Sequence, residues 1–361
     1  MIFGYLSKKP LVTLAVIVFM IAVSIPLQTH IDKYRDNSQI ISQTLYLDSS
    51  TVDKASLGYQ ELVAGIYWLR AIQYFGGHKV DKKKGADVLY NYFDIITDLD
   101  PKFFNAYRYG GTFLAEPYPI GFGDFAGGVR LLEKGRKHNP DNFYIPLEEA
   151  FLYYIYAKNY AKAAELFNEA ADKPGLSDFR RATVKGMAGT ALTKGNDREL
   201  AKQIWEEIYN TTQNEQRKDF ALANLKDLRT RDMEDRLTLL VSQYEARQGR
   251  IPDDLDDLFQ EGYLKNIPTD YFGGEFIVLP GIKAVKSKTL LKSDLEHNLR
   301  VLNARSRSYK RAYGKYPATM GALKSFIINQ TITDYLENPY GEEYDLDPQS
   351  GKITYDPVQL N

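Results

Sequence analysis

Residues 141–175 read DNFYIPLEEAFLYYIYAKNYAKAAELFNEAADKPG, and the spacing of apolar side chains in this stretch decides the fold. In its first half Leu147, Phe151, Leu152, Ile155 and Tyr156 recur at helical spacing, and in its second half Ala163, Ala164, Phe167 and Ala170 do the same. Asn159 interrupts the pattern between them. Lys173-Pro174-Gly175 stops the second helix, since proline lacks the amide a further turn needs and glycine accepts a left-handed cap. The stretch therefore predicts two antiparallel helices that approach closely over small alanines, with Phe167 filling the space between them. Such a pair leaves apolar faces open on both sides and requires neighbours.

The chain supplies them. Upstream, Asp100-Pro101 and Asn139-Pro140 close helical segments from Lys84 to Leu99 and from Phe122 to His138, as Lys173-Pro174 closes the third. The pattern resembles the tetratricopeptide repeat, a helix pair of about 34 residues with small residues at the close contacts and a proline at the end. The step from Pro140 to Pro174 matches that period. The step from Pro101 to Pro140 is longer by an insertion, Glu116 to Gly123, rich in proline and glycine and read as a loop. Downstream, helices are expected from Asp178 to Gly195, Asp197 to Tyr209, Gln213 to Leu228 and Arg231 to Gln248, with Arg217, Lys226, Arg229, Arg231 and Asp232 on the polar outer face of a capping repeat. Lys54 to Gly76 reads as one strong helix carrying Leu62, Ile66, Trp68, Leu69, Ile72 and Phe75.

In solenoids of this kind the concave face is the usual docking site for a peptide or partner helix. The Gly110-Gly111 pair on the helix from Phe103 to Leu114 reads as a close-packing position. Registering Gly111 on the small-residue position of the repeat puts Asn105 and Arg108 on the inner surface, with Glu148 and Tyr156 on the same surface of the next repeat. Trp68, Arg70 and Tyr74 complete the candidate partner-binding set, although Trp68 reads more readily as a core residue of the first repeat.

The whole chain narrows the setting. Its 361 residues allow two or three domains, and a net charge of -1 offers no electrostatic reason to bind nucleic acid. The absence of cysteine excludes disulfides, thiolate metal sites and cysteine nucleophiles. Twenty-seven tyrosines suit amphipathic contact surfaces and the rims of helical-repeat cores. Near the N-terminus, Pro10 to Leu27 is an uncharged run of Leu, Val, Ile, Ala and Phe, close to the roughly 20 residues a helix needs to cross a bilayer. Lys8 and Lys9 precede it and favour a cytoplasmic N-terminus. A cleaved signal peptide is the competing reading, but no small-x-small cleavage pattern follows before His30.

From Tyr244 the pattern changes. Tyr244, Gly249-Arg250-Ile251-Pro252, Leu255, Leu258, Gly262-Tyr263-Leu264, Pro268, Asp270 and Phe272-Gly273-Gly274 are answered at a fixed offset by Tyr309, Gly314, Tyr316-Pro317, Met320 and Leu323, and after a short insertion by Asn338-Pro339-Tyr340-Gly341. The agreement indicates a tandem duplication of a small α+β unit: long helix, glycine turn, short helix, strand pair. Pro348-Gln349-Ser350-Gly351 between two short strand patterns is a hairpin signal. Each copy resembles the soluble C-terminal part of the major pseudopilin of type II secretion systems. The chain departs from that family at the corner residues, and it lacks a prepilin cleavage site with its following glutamate, which argues against a processed pilus subunit. The resemblance implies a calcium candidate at Asp345, Asp347 and Asp356, beside the alternative of ordinary loop acids.

The sequence contains no catalytic signature: His30, His78, His138 and His297 are isolated, and neither a serine elbow nor a phosphate loop is present. The expected protein is mainly α and non-enzymatic, without cofactor, nucleic acid or small-molecule substrate. Its expected order is an N-terminal transmembrane anchor (1–30), a juxtamembrane linker (31–53), tetratricopeptide-like helical repeats forming an α-solenoid (54–233) and two pseudopilin-like α+β modules (234–292 and 293–361). The expected setting is a single-pass inner-membrane protein, held through residues 10–27, with a cytoplasmic N-terminus and a periplasmic bulk. Its expected role is that of a scaffold for peptide or helix segments of an envelope machine, of the secretion or type IV pilus-like kind. The alternative is a self-assembling structural subunit of an envelope oligomer or filament.

Overall fold

The structure is a computed structural model that describes residues 17–20, 22–26, 49–77, 81–82, 85–329 and 336–357. The chain is mainly helical and divides into two compact units, residues 1–139 and 140–361. Among the described residues no helix is long and apolar enough to cross a membrane. Half of the run from Pro10 to Leu27 lies outside them; its described parts, residues 17–20 and 22–26, are helical.

The first unit contains α1 (Ser49–Ala55), α2 (Gln60–Gly76), α3 (Ala86–Leu99), α4 (Phe104–Ala115) and α5 (Phe125–His138). The single helix expected from Lys54 to Gly76 is broken, because Leu57 and Gly58 take left-handed backbone with φ of 50° and 92° and separate α1 from α2. The remaining pairs follow the sequence. Asp124 caps α5 by accepting from the Gly127 amide at 2.9 Å, and the Glu116 to Gly123 segment is a loop. Gly111 and Gly128 bring α4 and α5 together: a Cβ at Gly128 would stand 2.5 Å from the Gly111 carbonyl oxygen.

The second unit opens with the pair from which the fold was read. α6 (Tyr144–Leu152) widens into a π-helical turn at Tyr153–Ala157, Lys158 closes it in a left-handed conformation, and α7 (Tyr160–Asp172) follows with Asn159 capping the Lys162 amide at 3.1 Å. α8 (Asp178–Lys194) and α9 (Arg198–Thr211) form the next pair, capped by Ser177 and Asp197. Their shared core includes Ala163, Ala164, Phe167, Ala188, Leu192 and Trp205. The two helices expected from Gln213 to Leu228 and from Arg231 to Gln248 are one helix, α10 (Glu215–Gln248). Leu228-Arg229-Thr230 contains neither glycine nor proline to break it, and Arg231 is held by Asp227 one turn back and by Asp294. The boundary expected at 233/234 thus falls inside a continuous helix that closes the array and begins the next module.

Both C-terminal modules repeat one plan. α10 ends at Gly249 (φ 70°), and α11 (Leu255–Gln260) leads to the antiparallel pair β1 (Phe276–Leu279) and β2 (Ala284–Ser287). α12 (Lys288–Tyr313) ends at Gly314 (φ 75°), and α13 (Met320–Asn329) leads to β3 (Asp345–Leu346) and β4 (Ile353–Thr354). Tyr244 and Tyr309, Leu258 and Leu323, Phe276 and Tyr344, and Val285 and Ile353 occupy matching places in the two cores. The same device shields the inner strand edge in each copy. Thr238 of α10 accepts from the Val285 amide at 2.9 Å, and Asn303 of α12 accepts from the Ile353 amide at 3.0 Å.

The corner turns match as well. Asp270 accepts from the Phe272 and Gly274 amides at 2.8 and 2.7 Å, and Asn338 accepts from the Tyr340 amide at 3.0 Å. Asp270 also accepts from the Ser287 hydroxyl at 2.5 Å. Burial pushes its pKa up, but the hydrogen bonds from Ser287, Gly274 and Phe272 outweigh that and hold the carboxyl below the usual carboxylate range. A depressed carboxylate stabilises the fold above its unfolded pKa of about 4, and the contribution is lost as pH falls through the folded value. Asp270→Ala should therefore cost about 2 kcal/mol at neutral pH by stranding buried donors. Asp270→Asn, the residue type that the second copy uses, should cost less and flatten the acid limb. Urea unfolding between pH 3 and 7 checks both, and equal losses for the two variants would refute the assignment.

Candidate functional site: an apolar pocket in the helical array

The residues selected from sequence fall in both units. In the first, Trp68 is half-buried, with its ring 5.9 Å from Phe93, 5.2 Å from Phe103 and 6.1 Å from Tyr109. Arg108 lies over the same Tyr109 ring at 5.7 Å, so these two candidates share a neighbour. Arg70 is exposed over Tyr67 at 5.7 Å, and Tyr74 lies 5.8 Å from Tyr92 and 6.0 Å from Phe122. Burial raises the Tyr92 pKa above its ordinary value, opposed by the charge of Arg70. Asn105 is half-buried on α4. These side chains form an aromatic shelf along α2, α3 and α4, beside which Leu62, Ile66 and Leu69 stand exposed on α2.

In the second unit Glu148 and Tyr156 are half-buried on α6 and its π turn. Neither lines the concavity that the array encloses there. That concavity is a pocket of about 310 Å³ lined by residues of five successive helices. Phe151 and Tyr154 come from α6 and its π turn, Ala182, Thr183, Gly186, Met187 and Thr190 from α8, and Arg217 and Phe220 from α10. Phe167 of α7 and Trp205 and Ile208 of α9 complete it. The first helix of each pair thus builds the walls and the second supplies the floor.

Local chemistry explains the opening. Gly186 and Gly189 lie one turn apart on α8, and the buried Trp205 indole fills the space their missing side chains leave. Phe151 meets Phe167 edge-on at 5.2 Å, and Trp205 meets Phe220 edge-on at 5.6 Å, so the rings brace one another instead of closing the gap. Arg217 stands at the rim with its guanidinium 4.4 Å from the Phe179 ring. The pocket is lined mainly by apolar groups, and chemically it offers desolvated contact area with one cation beside it.

Sequence reading passed over this site. Phe151, Phe167 and Trp205 carry the same periodic signal as any core residue, and Arg217 reads as part of a polar cap. The one usable signal is Gly186-x-x-Gly189 in the middle of an amphipathic helix, where glycine costs about 1 kcal/mol against alanine and so marks a packing demand.

The calcium candidates do not come together. Among the described residues no group of three or more His, Cys, Asp or Glu side chains is placed to hold a metal ion. Asp347 instead accepts from the Ser350 hydroxyl and the Gln349 amide, bonds that hold its carboxyl below the usual range, while Asp345 lies on β3 opposite Thr354. His138 Nδ1 and the Tyr107 hydroxyl share a 3.0 Å hydrogen bond. Comparison of the chain with known families, curated proteins and solved structures gives no match.

Proposed function

We propose that the protein is a non-enzymatic adaptor in which the helical array docks a segment of a partner protein. The observation that supports this reading is the open apolar pocket built from five consecutive helices, because a helical array that served only as a spacer would close such a gap with larger side chains. The uncharged run from Pro10 to Leu27 supports anchoring in the inner membrane with a cytoplasmic N-terminus and a periplasmic bulk. The pseudopilin resemblance of the duplicated modules supports an envelope assembly, of the secretion or type IV pilus-like kind, as the setting.

The test is crosslinking in intact membranes from a photoreactive residue at Phe220, which lines the pocket and is 50% exposed, with mass spectrometry of the adducts. Adducts with secretion or pilus-assembly proteins are expected. Adducts only between copies of the chain would replace the adaptor with a self-assembling subunit, and the absence of any adduct would refute docking at the pocket.

A further inference from the structure

Resting on the docking reading, we propose that the pocket recognises a bulky apolar side chain of a peptide that also presents a carboxylate, the apolar group entering between the rings and the carboxylate meeting Arg217. The volume decides the size of the occupant. About 310 Å³ lies at the lower end of ligand pockets, room for one or two large side chains and too little for a dinucleotide or a haem. The lining decides its character. Phe151, Phe167, Trp205, Ile208 and Phe220 offer ring faces and methyl groups, and Ala182 and Gly186 leave the α8 wall low enough for an incoming ring to reach them.

Arg217 decides its charge. The residue lies in the first turn of α10, where the helix dipole disfavours a cation, so its position there calls for a compensating anion. Its neighbours do not provide one. Among the described residues Arg217 makes no ion pair, and its buried Nε has no hydrogen-bond partner. The other cations around the pocket are differently engaged: Lys185 pairs with Glu207 and Asp172, Lys218 with Glu215, and Arg181 donates to the Ala171 carbonyl at 2.6 Å. The Phe179 ring 4.4 Å away steadies the Arg217 guanidinium, a group whose fork geometry a carboxylate fits. An apolar cup with an unpaired guanidinium at its lip matches an apolar side chain and an acid on one strand of peptide.

The test is selection from a displayed library of random peptides on the full-length chain in detergent, followed by binding of the enriched sequences as synthetic peptides. Thr190→Trp fills the pocket from an exposed position, and Arg217→Gln keeps the hydrogen-bonding head without charge; far-UV circular dichroism confirms that each variant is folded. The expected result is peptides with an aromatic or large aliphatic residue near Asp, Glu or the free C-terminus, which lose binding to Thr190→Trp. Arg217→Gln and an acid-to-amide change in the peptide should each weaken binding about tenfold, and the two together no further, the signature of a direct pair. Peptides that need the pocket but carry no acid, or that bind Arg217→Gln unchanged, overturn this inference and leave the adaptor standing. Failure to enrich any pocket-dependent peptide overturns both.

Discussion

Gly128→Val should destabilise the first unit by about 3 kcal/mol, the upper end of what overpacking costs. At the crossing of α4 and α5 the two backbones touch through Gly111 and Gly128. A Cβ on Gly128 would stand 2.5 Å from the Gly111 carbonyl oxygen, 2.9 Å from the Ala115 Cβ and 3.2 Å from the Ala115 amide nitrogen. Two of these obstacles are main-chain atoms inside a helix, which no rotamer change moves, so relief requires the helices to separate. Separation would open the contacts beside the crossing, where Gly110 meets Phe93 and Leu131 and Gly111 meets Leu132. Helix propensity opposes the loss by only about 0.3 kcal/mol, since β-branched valine is itself a poor helix former, and is outweighed. Gly65→Ala is the matched control: Gly65 lies in the interior of α2, its Cβ would meet nothing within 4 Å, and the change should stabilise by about 0.5–1 kcal/mol. Hydrogen exchange read on peptides from α4 and α5 reports this unit directly. Exchange in Gly128→Val as slow as in the parent would show that the helices do not cross here.

Glycine also marks what could be read from the chain and what could not. Gly110-Gly111 stood out because glycine inside an amphipathic helix needs a reason, and the structure supplies one. Helix ends were legible where local chemistry sets them, as at Asn139-Pro140, Asn159 and Lys173-Pro174-Gly175. The duplicated modules were legible for the same reason, since a left-handed glycine after a helix and an Asx turn at a corner repeat as short patterns. Continuity was harder. Leu57 takes a left-handed conformation that apolar residues disfavour, so the break between α1 and α2 carries no signal beyond Gly58. The π turn at Tyr153–Ala157 replaces a run of tyrosines and an isoleucine that reads as ordinary helix. Glu215–Gln248 reads as two helices, 213–228 and 231–248, although neither glycine nor proline interrupts it. The pocket was illegible because it belongs to no single segment. Its lining residues each satisfy the periodicity of their own helix, and only packing brings five helices around one opening.

Trp205→Ala should cost the second unit about 3–5 kcal/mol, the usual loss for removing a buried large aromatic side chain. Trp205 is 1% exposed and belongs to the core that joins α6 through α10. Its indole Nε1 has no hydrogen-bond partner among the described residues, so part of the loss is offset when that buried donor goes. What remains is the void left under α8, where Gly186 and Gly189 have no side chains with which to fill it. A second substitution separates this explanation from general disruption. Gly189→Ala alone places a Cβ 2.7 Å from the Trp205 Cε2 and 3.0 Å from Nε1, and should destabilise. In the Trp205→Ala background the obstacle is gone, so the same change should become neutral or stabilise by up to about 1 kcal/mol through helix propensity. Urea unfolding of the four proteins completes the cycle, and additive losses would refute the packing of indole on glycine. The floor of the pocket is this same ring. A sign reversal at Gly189 would therefore establish that the residue closing the core of the array also shapes the surface offered to a partner, and Trp205→Ala should then lose peptide binding even at temperatures where the chain remains folded.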